Sequence, residues 1–129
     1  LLYSQVPESQ WDRLAREAVE SVGLSHRLEH EPSELSGGER QRAAIARALI
    51  QKPSIIFADE PTGNLDSKSG QVVMDIIQKL NDSGHTIILI THETYTAENA
   101  KRIIRLQDGL IVSDQQVTNR RKANEHFVK

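Results

Sequence analysis

The chain has 129 residues, enough for one modest domain whose core sits near the lower end of comfortable size. Its 16 basic and 18 acidic side chains nearly cancel, so no global field steers it toward nucleic acid or an anionic membrane. Cysteine is absent, which excludes disulfides and thiolate metal sites and is compatible with a reducing cytosol.

The longest clean apolar run, Ile87-Ile88-Leu89-Ile90, is far too short to span a bilayer, and Leu1-Leu2 lacks the regions of a signal peptide. Any membrane span must therefore come from another chain or segment. In chain order, Trp11, Leu14, Ala15, Ala18, Val19 and Val22 recur at helical spacing, with Gly23 as a C-terminal stop. A linker containing Pro32 leads to Ser36, which can cap an alanine-rich helix running to about Ile50. Pro53 ends that helix before Ile55-Ile56-Phe57-Ala58, which reads as a strand apolar on both faces and buried between helix layers.

Pro61-Thr62-Gly63-Asn64 turns the chain. Val72, Val73, Ile76, Ile77 and Leu80 form the apolar face of a long helix closed by Ser83-Gly84, and Thr86 to Ile90 is a second apolar strand. Strand, helix and strand of these lengths make a βαβ unit with parallel strands. A brief helix from about Tyr95 to Ala100 precedes a strand over Arg102 to Leu106. Asp108-Gly109 then turns it into an antiparallel partner over Leu110 to Val112. From Asp114 the sequence is polar and reads as a frayed helix or a disordered tail, with Arg120-Arg121-Lys122 as its solvated basic run.

Three places carry chemistry. Ser36, Gly37 and Gly38 stand where a loop becomes a helix, where free amides and the helix dipole favour an anion and glycines let a phosphate approach. A plain cap would use the same residues. Asp59 and Glu60 end the first strand, at the edge where open α/β sheets gather ligands. Adjacent carboxylates can face different targets, one holding hydrated Mg²⁺ and the other orienting and deprotonating a water. Four apolar residues before them argue against a pair of solvated turn acids. His92 lands on the same carboxyl edge, just past Thr86–Ile90, and a neutral imidazole there can bond a phosphate. His26, His30, His85 and His126 read as ordinary histidines, and no second histidine or cysteine stands at metal-ligand spacing from His92. Asp66 or Ser67 can cap the helix that follows the turn.

Leu35-Ser36-Gly37-Gly38-Glu39 continues into Arg40-Gln41-Arg42 and Ala46-Arg47-Ala48-Leu49. Ile55 to Glu60, Pro61 to Asp66 and Thr91-His92 then follow in fixed order. Together they resemble the signature, Walker B, D-loop and switch-histidine elements of the ATP-binding cassette (ABC) ATPases. The resemblance covers residues 1 to about 113 and is nearest the branch serving macrolide export, lipoprotein release and the related cell-division complex. It implies an α/β, partial P-loop NTPase fold, a mainly parallel sheet flanked by helices, with part of the helical subdomain at the N-terminus. The implied division is 1–52 helical subdomain, 53–113 α/β core and 114–129 polar tail.

The same resemblance implies ATP and Mg²⁺ as cofactors, with Asp59 in the metal shell, Glu60 as general base and His92 as sensor of the γ-phosphate. Ser36, Gly37, Gly38 and Glu39 would contact a nucleotide held by a second nucleotide-binding subunit in a head-to-tail dimer. Asp66 would lie across that interface. A membrane permease is the implied partner, the location is the cytoplasmic face of the membrane, and nucleic acid is not expected. None of the seven glycines is followed by lysine, so the phosphate-cradling G-x-x-x-x-G-K-[ST] loop is absent. The glutamine loop and the adenine-stacking aromatic are missing too; all would lie upstream of Leu1. The chain alone is therefore expected not to hydrolyse ATP. In the family's sheet the phosphate-loop strand lies between the Thr86–Ile90 and Arg102–Leu106 strands. Its absence predicts unpaired edges and a chain that swaps, oligomerises or is poorly stable.

Two other classes use similar residues. DNA-repair and chromosome-maintenance ATPase heads share the signature and carboxylate pair, but no heptad run precedes Leu35 and the charge gives no nucleic-acid footprint. The other is a non-catalytic dimerisation fragment that completes another chain's site.

Overall fold

The computed structural model describes residues 7–122. The resemblance at Leu1-Leu2-Tyr3, His126 and the tail beyond 122 lie outside the described residues. Helix α1 spans Trp11–Ser21 and ends at Gly23, whose φ of 71° is the left-handed conformation that glycine accepts without a Cβ clash. The Arg42 guanidinium donates to the carbonyls of Val22 (3.2 Å) and Gly23 (3.4 Å), occupying acceptors that the helix end leaves open.

Helix α2, Gly37–Leu49, starts on a capping box. The Ser36 hydroxyl accepts the Glu39 N–H, and the Glu39 carboxylate accepts the Ser36 N–H. Strand β1, Ile55–Asp59, pairs in parallel with β2, Thr86–Ile90, from Ile55 opposite Thr86 to Asp59 opposite Ile90. Between them runs α3, Ser67–Asp82, capped by Asp66, which accepts the Ser69 N–H at 2.9 Å. Helix α4 is shorter than the sequence suggests, Thr94–Ala97. Strands β3, Arg102–Gln107, and β4, Leu110–Gln116, form an antiparallel hairpin. Asp108 and Gly109, at φ 49° and 76°, supply the two left-handed residues of its two-residue turn.

The core has two faces, both on α3. Leu65, Val73, Met74 and Ile77 meet Ala58, Ile87 and Leu89 from the sheet. Ala18, Val22, Leu24 and Ala46 meet Ile76 on the helical side, with Ile45 touching both groups. Burial alternates along β1 because side chains alternate: Ile56 is buried against the helices, whereas Phe57 is 67% exposed. The expected burial of both faces is thus corrected. Among the described residues helices cover one face of the β1–β2 pair, and Ile55, Phe57, Ile88 and Ile90 line the other.

The β1–β2 and β3–β4 pairs are separate two-stranded sheets. A groove of about 960 Å³ lies between β2 and β3. The reading of a frayed helix or disordered segment from Asp114 is also corrected, because β4 continues to Gln116. Nor is the basic run solvated throughout. Arg121 pairs with Glu98 at 2.7 Å and lies over the Tyr95 ring, while Arg120 donates to the Asn99 carbonyl and to Asp82. Charge and hydropathy along the tail carry no trace of these partners, which sit more than twenty residues upstream. Among the described residues no helix is long and apolar enough to cross a membrane.

Candidate functional site at the carboxyl edge of the parallel strands

Parallel pairing brings the ends of β1 and β2 to one rim. The Glu60 N–H donates to the Ile90 carbonyl at 2.8 Å, one step beyond the ladder. Glu60 then takes φ 45°, a left-handed conformation that costs energy in a residue with a Cβ. This breaks the alternation of the strand. Asp59 keeps the parity of Ile55 and Phe57, on the face that helices leave open, while Glu60 is turned toward the end of β2.

The Glu60 carboxylate is held by three groups from the segment after β2. Its Oε1 accepts the His92 N–H at 2.9 Å and meets His92 Nδ1 at 2.7 Å, and its Oε2 accepts the Thr91 hydroxyl at 3.3 Å. These bonds, the His92 ring first, hold the Glu60 pKa below the ordinary carboxylate value, and Glu60 in turn raises that of His92. The His92 side chain remains 81% exposed, so its ring is open to a ligand as well as to Glu60. Thr91 also accepts the Glu93 N–H through the same hydroxyl. Sequence reading placed Thr91 in the motif but gave it no role; its position one residue before His92 was the available signal.

The second cluster is the start of α2. Ser36 and Gly37 are exposed, and the Ser36 oxygen accepts the Glu39 N–H of the cap. Gly38 is buried, with its α-carbon against Ser69 at the start of α3. The Glu39 carboxylate is engaged within the chain, by the Ser36 amide and by Arg27 at 3.2 Å, and both partners lower its pKa. Asp66 likewise accepts both the amide and the hydroxyl of Ser69, which lowers its pKa.

Magnesium and nucleotide can be judged against this donor set. Among the described residues no group of three or more His, Cys, Asp or Glu could hold a metal. A single exposed carboxylate such as Asp59 suits Mg²⁺, which keeps several waters and binds through one or two carboxylates together with substrate phosphates. The start of α2 offers the amides and the dipole that suit a phosphate.

Residues 3–63 match the family model described as ABC transporter. A macrolide export ATP-binding/permease protein from Bdellovibrio bacteriovorus is 53% identical over 117 residues, 91% of this chain and 18% of that protein. An uncharacterized ABC transporter ATP-binding protein of Methanocaldococcus jannaschii is 59% identical over 98 residues, 76% of this chain and 44% of the other. Among solved structures, a dimeric ATP-binding cassette in a post-hydrolysis state with ADP and Pi superposes with a TM-score of 0.73 at 38% identity. That match covers 91% of this chain and 51% of the cassette. The chain thus spans about half of that solved cassette and under a fifth of the macrolide-export relative. By these matches the chain belongs to the ABC transporter family and carries part of its ATP-binding cassette.

Proposed function

We propose that the complete protein carrying this chain is an ATP-hydrolysing subunit that energises transport through a membrane permease. The observation that carries this reading is the 2.7 Å contact of Glu60 Oε1 with His92 Nδ1 across the rim. It joins a candidate base to a group able to bond a phosphate, beside the open carboxylate of Asp59. Bound Mg-ATP supplies the phosphoryl group and the charge neutralisation that the transfer requires. Asp59 holds hydrated Mg²⁺, and Glu60 orients and deprotonates the attacking water. His92 orients the Glu60 carboxylate and presents its exposed ring to the γ-phosphate. The solved dimer bound to ADP and Pi supports a second copy as partner, with Ser36, Gly37 and Gly38 of one copy facing the nucleotide of the other. Asp66 lies in the loop at that interface.

The relative named for macrolide export favours an export system, whose cargo the permease selects. The cytoplasmic face of a membrane is the corresponding location. Residues 1–52 act as the helical subdomain and 53–113 as the hydrolytic core. Glu60→Gln in the complete protein tests the reading. ATP turnover should fall about 10²- to 10⁴-fold while ATP affinity is retained. Turnover within twofold of the unsubstituted protein would refute the assignment.

A further inference from the structure

The start of α2 rests on the first turn of α3, just past the 61–66 loop, and one glycine makes that close approach possible. A Cβ placed on Gly38 would lie 3.0 Å from the Ser69 Cβ, 3.3 Å from its Oγ and 3.9 Å from its Cα. Real Cβ atoms seldom come so close, so one of the helices would have to give. The atom in the way is no flexible chain end. Ser69 stands in the first turn of α3 with its N–H on Asp66 Oδ1 at 2.9 Å and its hydroxyl on Asp66 Oδ2 at 2.8 Å. Gly37 differs, because a Cβ there would meet only the Leu65 Cδ2 at 3.4 Å, an ordinary contact with a mobile methyl.

We infer that Gly38 is a positioning residue: its lack of a side chain lets α2 rest on Ser69, so that the signature start and the Asp66 cap of the 61–66 loop shift as one unit. This rests on the proposed nucleotide reading only for its consequence, which is that the group facing one nucleotide reports to the loop leading from Asp59 and Glu60. The contact itself is independent of ATP. It gives the glycine a reason separate from close approach of a phosphate to its amide, because the space a Cβ would take there is filled by Ser69 of the same chain.

The test uses the complete cassette, isotope-labelled and free of nucleotide, with amide shifts and hydrogen exchange of residues 65–70 as readout. Gly38→Ala should move these amides and speed exchange at the residue 69 amide about fivefold, as expected when a helix cap is disturbed. Gly37→Ala should leave them within twofold. In a Ser69→Gly background, where the obstructing Cβ is gone, adding Gly38→Ala should produce no further change. If Gly38→Ala does not accumulate as folded protein, the Gly38→Ala/Ser69→Gly pair must. Unmoved amides in Gly38→Ala, an equal effect in the Ser69→Gly background, or failure of both variants to fold overturns the inference. Failure of ATP to bind, with these shifts intact, would instead count against the nucleotide reading.

Discussion

At the scale of single residues, the pairing of Glu60 with His92 sets a pH window. His92 has a raised pKa, so its share of the contact is complete below the ordinary 6.5 and is lost as pH rises through the raised value. Glu60 has a lowered pKa, so its share is complete above the ordinary 4.5 and is lost as pH falls through the lowered value. Both shares are full between about 4.5 and 6.5, and the His92 share declines above 6.5 until the pH has passed its raised value. Glu60→Gln removes the charge that faces His92. NMR titration of the His92 ring should then show its pKa falling toward 6.5, and an unchanged value would contradict the coupling. The residue types of this rim were legible in the sequence, because two acids and a histidine ended apolar runs. The left-handed turn at Glu60 was not, since nothing in Asp59-Glu60-Pro61 announces a positive φ in a glutamate.

Among the elements, those with strong local chemistry were the readable ones. Ser36 and Asp66 are caps by residue type, Gly23 and Gly84 are left-handed stops, and Asp108-Gly109 dictates its turn. Relations between elements were not local and stayed hidden. Examples are Gly38 against Ser69, the Arg120 and Arg121 anchors on α3 and α4, and the uncovered face of β1. Two substitutions separate caps from core. Ser36→Ala removes the cap of α2 and should cost about 1 kcal/mol of unfolding free energy in the complete protein. Met74→Ala, at a residue 1% exposed between α3 and the sheet, should cost about 2–5 kcal/mol through lost burial and a cavity. Denaturant midpoints that place the two equal would show that the α3 interface is not the main support of the site.

For the whole molecule, Phe57, Leu106, Leu110 and Ile111 are each about two-thirds exposed or more, and two sheets face each other across a groove without pairing. Apolar surface of that kind, beside unpaired strand edges, favours association. The 129-residue chain alone should therefore sediment as concentration-dependent oligomers, and a monodisperse monomer that melts cooperatively would contradict this. The parallel unit was legible in the sequence because period and length defined it. The exposed faces were not, because apolar composition records what can be buried without recording what is present to bury it. The proposed activity depends on active sites shared between copies, each joining the rim of one protomer to the helix start of another. Mixing two inactive variants of the complete protein, Glu60→Gln and Ser36→Arg, is the direct measurement. Random pairing leaves one intact site in about half of the dimers, so ATP turnover should recover to roughly a quarter of the unsubstituted rate. No recovery on mixing, or full turnover by Ser36→Arg alone, would contradict it.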